Sequence, residues 1–346
     1  MRKVKTGIVG AGGQRCCFHG GCVFAETDNV IIKAICDNRP ERLAYAKEMY
    51  SKYLGYEVET YLDYNEMYAK ADLEAVYVSG PNNLHMEMSV AALTAGLHVL
   101  CEKPMEISLE RADAISDAAK RSGKLLGLGM QMHYRRRYLK IGELVEQGLI
   151  GNVVQSWCSE YRHPYIAMKD WVWDSSLSGG AIHEKNCHHY DVMDIWVKSK
   201  PTTVYASGNI MKHHTPHGIK SDIVDNAFII NDYENGSRAM VSINFMGTNE
   251  QGHTREFGVI GTDGAITFND TDKEVLHVSL NNGDKYDLNI PGDVRGGIWQ
   301  DFIDCVLDGK RQPLVTPEMG RNSLLVPMAA ELSIKEKRIV NVNELK

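Results

Sequence analysis

The sequence predicts an α/β protein in two parts. A doubly wound (Rossmann) parallel sheet comes first, and an α+β part built on a large, mostly antiparallel open sheet follows. Three observations predict it. Strand-like and helix-like segments alternate from residue 3 to about 129, a glycine turn (GAGG, 10–13) follows the first strand at once, and β-rich runs take over from about 151. Alternation implies right-handed crossovers and a parallel sheet, whereas Asn-Gly and Asp-Gly between β-rich runs are hairpin signals.

The elements follow in order. KVKTGIV reads as a short buried strand, and the residues after GAGGQR continue as a helix. VIIKAIC is the second strand and ends at Asp37. Helix ERLAYAKEMY, a strand near EVETY, helix DYNEMYAK, strand AVYVS, helix HMEMSVAALTAG, strand HVLC, helix SLERADAISDAAKRSG and strand LLGLG complete the first part. In the second, VVQSWCSEYR, TTVYASGNIM, NAFIINDY, RAMVSINFM, EFGVIG, AITFND and EVLHVSL are strands. The turns Glu234-Asn235-Gly236, Asp263-Gly264 and Asn282-Gly283 join several of them. IWQDFIDCVLDG and EMGRNSLLVPMAAELSIKEK read as tail helices. No repeat or low-complexity linker interrupts the chain, and the expected division is 1–125 and 126–346.

Bulk properties narrow the function classes. A chain of 346 residues suggests about two domains. A net charge of −7 argues against a nucleic-acid surface, and no apolar run approaches a membrane span. The eight cysteines form no C-x-x-C pair and sit in apolar patterns, as buried thiols in a reducing compartment do. The basic start is broken by glycines too early for a signal peptide, so a cytoplasmic protein is expected.

Gly10 and Gly12 let the backbone approach a pyrophosphate whose charge the next helix N-terminus meets. Gly13, Gln14 and Arg15 complete the turn, with Arg15 where a third glycine usually stands. Asp37, beside Asn38, ends the second strand, where a carboxylate binds both ribose hydroxyls and repels a 2′-phosphate. NAD is therefore expected over NADP, although Arg39 leaves NADP open.

The stretch GGAIHEKNCHHYD (179–191) crowds titratable groups together. His183 and His188 lie five apart, roughly 140° around a helix, so they do not form a zinc-protease pair. No metal is expected, and the KHHTPH string (212–217) lacks regular ligand spacing. Glu184, His188 and Asp191 share one helix face, as either an acid–base site or a satisfied buried network; His183 points elsewhere.

GPNNLHMEMSVAALTAGLHVLCEKPMEISLE (80–110) closely resembles the glucose-fructose oxidoreductase, inositol dehydrogenase and MocA (Gfo/Idh/MocA) family, whose members carry a T-P-N-x-x-H pattern and then H-V-x-x-E-K-P. Here these are Pro81, Asn82 and His85, then Glu102, Lys103 and Pro104. The likeness continues through GELVEQGLIGNVV and SGGAIHEKNCHHYD. It implies that Lys103 lies by the nicotinamide and the substrate hydroxyl, that Pro81, Asn82, His85 and Glu102 line the cofactor site, and that His188 is the base, with Glu184 orienting it. A histidine has a suitable intrinsic pKa for that work. Asp191 is expected to secure the helix or the imidazole. The family's arginine after the tryptophan and its aspartate are Val172 and Glu184 here, so no particular sugar is implied. Tyr161, Arg162, Trp173, Lys185 and His189 are candidate substrate contacts, and His133 stands where relatives often have arginine.

The resemblance implies an NAD-dependent oxidoreductase of a sugar, polyol or related hydroxylated compound. One sheet face would cover the nicotinamide end of the first domain and the other would pair subunits as a homodimer or homotetramer. The runner-up is a redox glycosidase that keeps its NAD and returns the hydride. A non-catalytic nucleotide-binding regulator comes third.

Overall fold

The computed structural model describes residues 2–13, 16, 24–163, 170–212, 220–246, 254–269, 274–292 and 296–345. Gln14 and Arg15, the helix expected after GAGGQR apart from its flanks, and most of the KHHTPH string lie outside these residues. The chain divides into two compact units, Met1–Met130 with Arg295–Arg321, and Gln131–Val294 with Asn322–Lys346.

In the first unit, β1 (Val4–Val9), β2 (Val30–Cys36), β3 (Glu59–Tyr61), β4 (Ala75–Val78), β5 (His98–Cys101) and β6 (Leu126–Leu128) form one sheet in the order β3-β2-β1-β4-β5-β6. Every pairing is parallel. Such a sheet has helices on both faces, and β4 is accordingly buried at all of its positions. The order reverses between β1 and β4, and ligands of open α/β sheets bind beyond the strand ends at that switch. The helices stop and start where local chemistry requires. Asp63 and Ser108 accept the backbone N–H of Asn65 and Arg111, and Gly55 and Gly123 end their helices in the left-handed conformation.

The division differs from the single crossing expected near residue 125. The helix Gly297–Asp308 returns to the first unit because its apolar face, Ile298, Phe302 and Ile303, is buried there. Phe302 packs so closely on Gly127 of β6 that an added Cβ would stand 3.1 Å from its ring. Arg321 then pairs with Asp113 at 2.5 Å.

The second unit holds β7 (Val153–Tyr161), β8 (Pro201–Asn209), β9 (Asn226–Tyr233), β10 (Arg238–Asn244), β11 (Thr254–Gly261), β12 (Gly264–Asn269), β13 (Val275–Leu280), β14 (Lys285–Asn289) and β15 (Val340–Asn341). Their order is β14-β13-β12-β11-β7-β10-β9-β8-β15, and among the described residues only β7 and β10 run parallel. The helices Arg136–Glu146, Ala181–Val197 and Leu325–Glu336 pack on this core. Its centre is aromatic: Phe257 and Phe268 stack at 5.0 Å, Tyr138 meets both edge-on, and the Trp196 indole N–H donates to the Tyr138 carbonyl at 3.0 Å. Strict alternation along β9 buries Ala227, Ile229 and Tyr233 and turns Phe228 and Ile230 outward. Gly236 and Gly283 take positive φ in the turns after β9 and β13, as the sequence signals required.

Candidate active site

The glycine turn admits no side chain at Gly10 or Gly12. Gly10 has φ of 74°, and a Cβ there would lie 1.7 Å from the Ser79 carbonyl oxygen. A Cβ on Gly12 would meet Arg42 Cβ at 2.6 Å and Asp37 Oδ2 at 2.8 Å. The Gly12 N–H donates to Asp37 Oδ2 at 2.9 Å, so the carboxylate at the end of β2 is tied to the turn itself. Asp37 is buried and also accepts from Arg39, through Nε at 3.0 Å and Nη2 at 3.2 Å. Arg42 Nε donates to the Gly12 carbonyl at 2.8 Å, a contact that sequence reading missed. A bare backbone turn at the switch point with a carboxylate fixed beside it fits a dinucleotide. Gly13 continues the turn and Asn38 is exposed beyond it.

The Glu102-Lys103-Pro104 turn follows β5. The Glu102 carboxylate is buried, accepting the Tyr77 hydroxyl at 2.5 Å and the Lys103 N–H at 3.1 Å. Gly129 backs the turn so tightly that a Cβ would stand 2.8 Å from the Lys103 nitrogen. Lys103 itself is half-buried. His85 is wholly buried, with Nδ1 2.8 Å from the Pro104 oxygen and Nε2 3.3 Å from the Gly80 oxygen. Burial pushes its pKa down while the two carbonyl contacts oppose this, and the ring ties the turn to the loop carrying Pro81 and Asn82. Glu106, not singled out in the sequence, is buried beneath them. It accepts the Met86 and Ile107 N–H groups at 3.1 and 2.6 Å and pairs with Arg111 at 3.0 Å.

In the second unit, the helix Ala181–Val197 starts after Gly180, whose φ is 97° and which offers no side-chain cap. The cap comes from Glu331 on the helix Leu325–Glu336, which accepts the Ile182 N–H and is so close to Gly180 that a Cβ there would stand 2.4 Å from its Oε1. Burial raises the Glu331 pKa to about 7, the Ile182 bond opposes this, and the Asp222 charge adds to the rise. Nothing local in the sequence signals a cap supplied from 150 positions on.

Glu184, His188 and Asp191 share a face of this helix, and all are buried. Asp191 secures the helix rather than His188, since its Oδ2 lies 2.5 Å from Nε2 of buried His133. His183, on another face, is buried as well.

The structure gathers Lys185 and His189 around a residue that sequence reading did not weigh. Glu160, fully buried near the end of β7, has Oε1 3.3 Å from Lys185 Nζ and 3.9 Å from Arg162 Nη1, and Oε2 3.1 Å from His189 Nε2. Its signal was parity: Ser156, Cys158 and Glu160 are the inward positions of β7, so an acid stood where the pattern demands small or apolar residues.

Two expected substrate contacts are corrected. His189 is wholly buried between Glu160, Asn186 and the Phe257 ring, because its position turns onto the sheet, roughly 140° from Glu184. Tyr161 follows inward-facing Glu160 and therefore points to the opposite sheet face, where it is exposed and its hydroxyl is 3.0 Å from Ser242 Oγ. Arg162 returns to the Glu160 side, and Trp173 is part of the buried core. Among the described residues no cluster of three or more His, Cys, Asp or Glu could hold a metal, and no helix is long and apolar enough to cross a membrane.

Residues 4–130 match a family model described as an oxidoreductase family with an NAD-binding Rossmann fold, and residues 138–267 match the GFO/IDH/MocA C-terminal domain. The chain is 26% identical to a myo-inositol 2-dehydrogenase of Thermotoga maritima, covering 99% of both proteins. It is 26% identical to a 1,5-anhydro-D-fructose reductase of Ensifer adhaerens, over 76% of this chain and 78% of that one. A crystal structure of a probable dehydrogenase from Thermotoga maritima superposes with a TM-score of 0.78 at 25% identity, covering 99% of this chain and 100% of that one.

Proposed function

We propose a reaction from one premise: this chain belongs to the Gfo/Idh/MocA family of oxidoreductases, with an NAD-binding Rossmann domain at its N-terminus. The reaction is oxidation of a secondary alcohol in a sugar or polyol, or its reverse. The observation that carries it is the braced Glu102-Lys103-Pro104 turn at the C-terminal end of β5, beside the Asp37–Gly12 cradle of the same unit.

Bound NAD supplies the hydride acceptor. Asp37 takes the adenosine ribose hydroxyls, Gly10, Gly12 and Gly13 pass the pyrophosphate, and Pro81 and Asn82 border the cofactor, with His85 and Glu102 acting as braces. Lys103 donates a hydrogen bond to the reacting oxygen and lowers the hydroxyl's pKa by its charge. His188 removes the hydroxyl proton and Glu184, one turn before it, holds the imidazole or a neighbouring hydroxyl. Named relatives that oxidise or reduce polyols and anhydrosugars support this reading over a redox-neutral glycosidase or a regulator.

The test is to incubate the protein with NAD and a panel of sugars, polyols, uronates and aryl glycosides, following NADH absorbance and aglycone release together. Substrate-dependent NADH is expected. Aglycone released without NADH, or neither signal, would overturn the reading.

From the same family reading we infer that the protein assembles with copies of itself. Tyr205, Phe228 and Ile230 stand exposed together on the sheet face opposite the helices, with Phe228 62% exposed. An apolar group of that kind favours a second copy of the sheet. Light scattering should give a dimer or tetramer, and Phe228→Glu should reduce it to monomer.

A further inference from the structure

Glu160 takes no part in the chemistry proposed above, yet it is a wholly buried carboxylate on the strand that packs against the helix bearing Glu184 and His188. A buried charge persists only when paired and hydrogen-bonded, and its partners define what this part of the second unit offers a ligand. His189 lies between Asn186 and Glu160, its Nδ1 2.7 Å from Asn186 Nδ2 and its Nε2 3.1 Å from Glu160 Oε2. The charge on Glu160 is met by the Lys185 ammonium at 3.3 Å, with the Arg162 guanidinium further off at 3.9 Å. Lys185 is 16% exposed and Arg162 24%, so both cations lie at the rim of the cluster.

We propose that Glu160 is a specificity-determining residue: by holding Lys185 in a buried ion pair it cancels the positive charge beside Glu184 and His188, so that neutral hydroxylated substrates are accepted and carboxylated or phosphorylated counterparts are refused. The inference rests on the dehydrogenase reading given above. Lys185 and Arg162 would together make an anion site if Glu160 were apolar. With Glu160 and Glu184 both ionised, the formal charges of these four residues cancel. The cations then contribute N–H donors that suit hydroxyl groups, while an anion would have to be desolvated without a net countercharge.

The prediction concerns a ratio, which separates it from a structural role. Matched pairs are assayed with NAD: glucose and glucuronate, galactose and galacturonate, myo-inositol and its monophosphate. The native protein should favour the neutral member of each pair it turns over. Glu160→Gln leaves one surplus positive charge and should raise the anion-to-neutral ratio of kcat/KM by about tenfold. Lys185→Gln leaves one surplus negative charge and should lower the ratio. The double variant restores the balance and should return the ratio to its native value, with salt weakening each effect. Native preference for the anionic members overturns the inference. So do singles that depress both members equally with no return in the double, which is the signature of a packing role. If no pair member is oxidised by any of the proteins, the dehydrogenase reading falls and takes this inference with it, whereas oxidation of the anions alone removes only the inference.

Discussion

Asp191 Oδ2 and His133 Nε2 lie 2.5 Å apart with both side chains almost wholly buried. The pair joins the short helical turn Gln131–Tyr134 to the helix that carries Glu184 and His188, one helical turn beyond His188. Removing one partner leaves the other buried and unsatisfied, which costs more than removing both. Asp191→Asn and His133→Ala should each lower stability by about 2–4 kcal/mol, read by urea denaturation. The double variant should lose less than the sum of the two. Strict additivity would show that the two groups do not depend on each other.

Gly10 and Gly12 should tolerate no Cβ. A methyl at Gly10 must displace the Ser79 backbone and occupy a left-handed conformation, whereas one at Gly12 presses on the very carboxylate oxygen that accepts its N–H. Gly12→Ala should therefore weaken NAD binding by at least about tenfold, measured by titration calorimetry. Gly10→Ala should also lower the melting temperature, because the strain lies in the backbone itself. Native affinity in Gly12→Ala would remove the turn from the cofactor site.

Lys103→Met and His188→Ala should each reduce turnover by at least about 10²-fold while leaving NAD affinity within a few-fold of native. Keeping the methylene stem of Lys103 separates loss of its charge from loss of packing in a half-buried position. A loss below tenfold for either variant would count against its role, and loss of NAD binding would point to a collapsed turn instead.

What sequence reading reached and what it missed follow one division. The strand–turn–carboxylate geometry of Gly10, Gly12 and Asp37 was legible because steric necessity and strand period act over a few residues. The parallel pairing of the first sheet followed from alternation in the same way. The return of Gly297–Asp308 to the first unit was not, because an apolar helix face states that it needs a partner and never which one. Glu160 and Glu331 escaped for a related reason. Each is a carboxylate whose partners come from another element, Lys185 and His189 in one case and the start of the Ala181 helix in the other. Tyr161 was misassigned by grouping it with Arg162, although neighbouring positions of a strand face opposite sides.

Glu331 gives the fold a specific dependence on pH. Its pKa rises from the ordinary 4.5 to about 7, chiefly because burial penalises the charged form. Between those values the folded protein holds a proton that the unfolded chain has released. Stability contributed by this group therefore falls as pH rises from about 4.5 to 7 and is level above that window. Glu331→Gln removes the titration, while its side-chain carbonyl can still accept the Ile182 N–H at the helix start. The variant should match the native protein at pH 4.5 and be more stable by about 1–3 kcal/mol at pH 8. Asp194, whose pKa burial raises to about 8 against the opposing bond from Tyr233, drifts in the same direction. It is common to both proteins, so it cancels in the difference. Urea denaturation of the two proteins across pH 4.5–8.5 checks this, and parallel curves would mean that Glu331 is ionised throughout and that the helix start stabilises its charge fully.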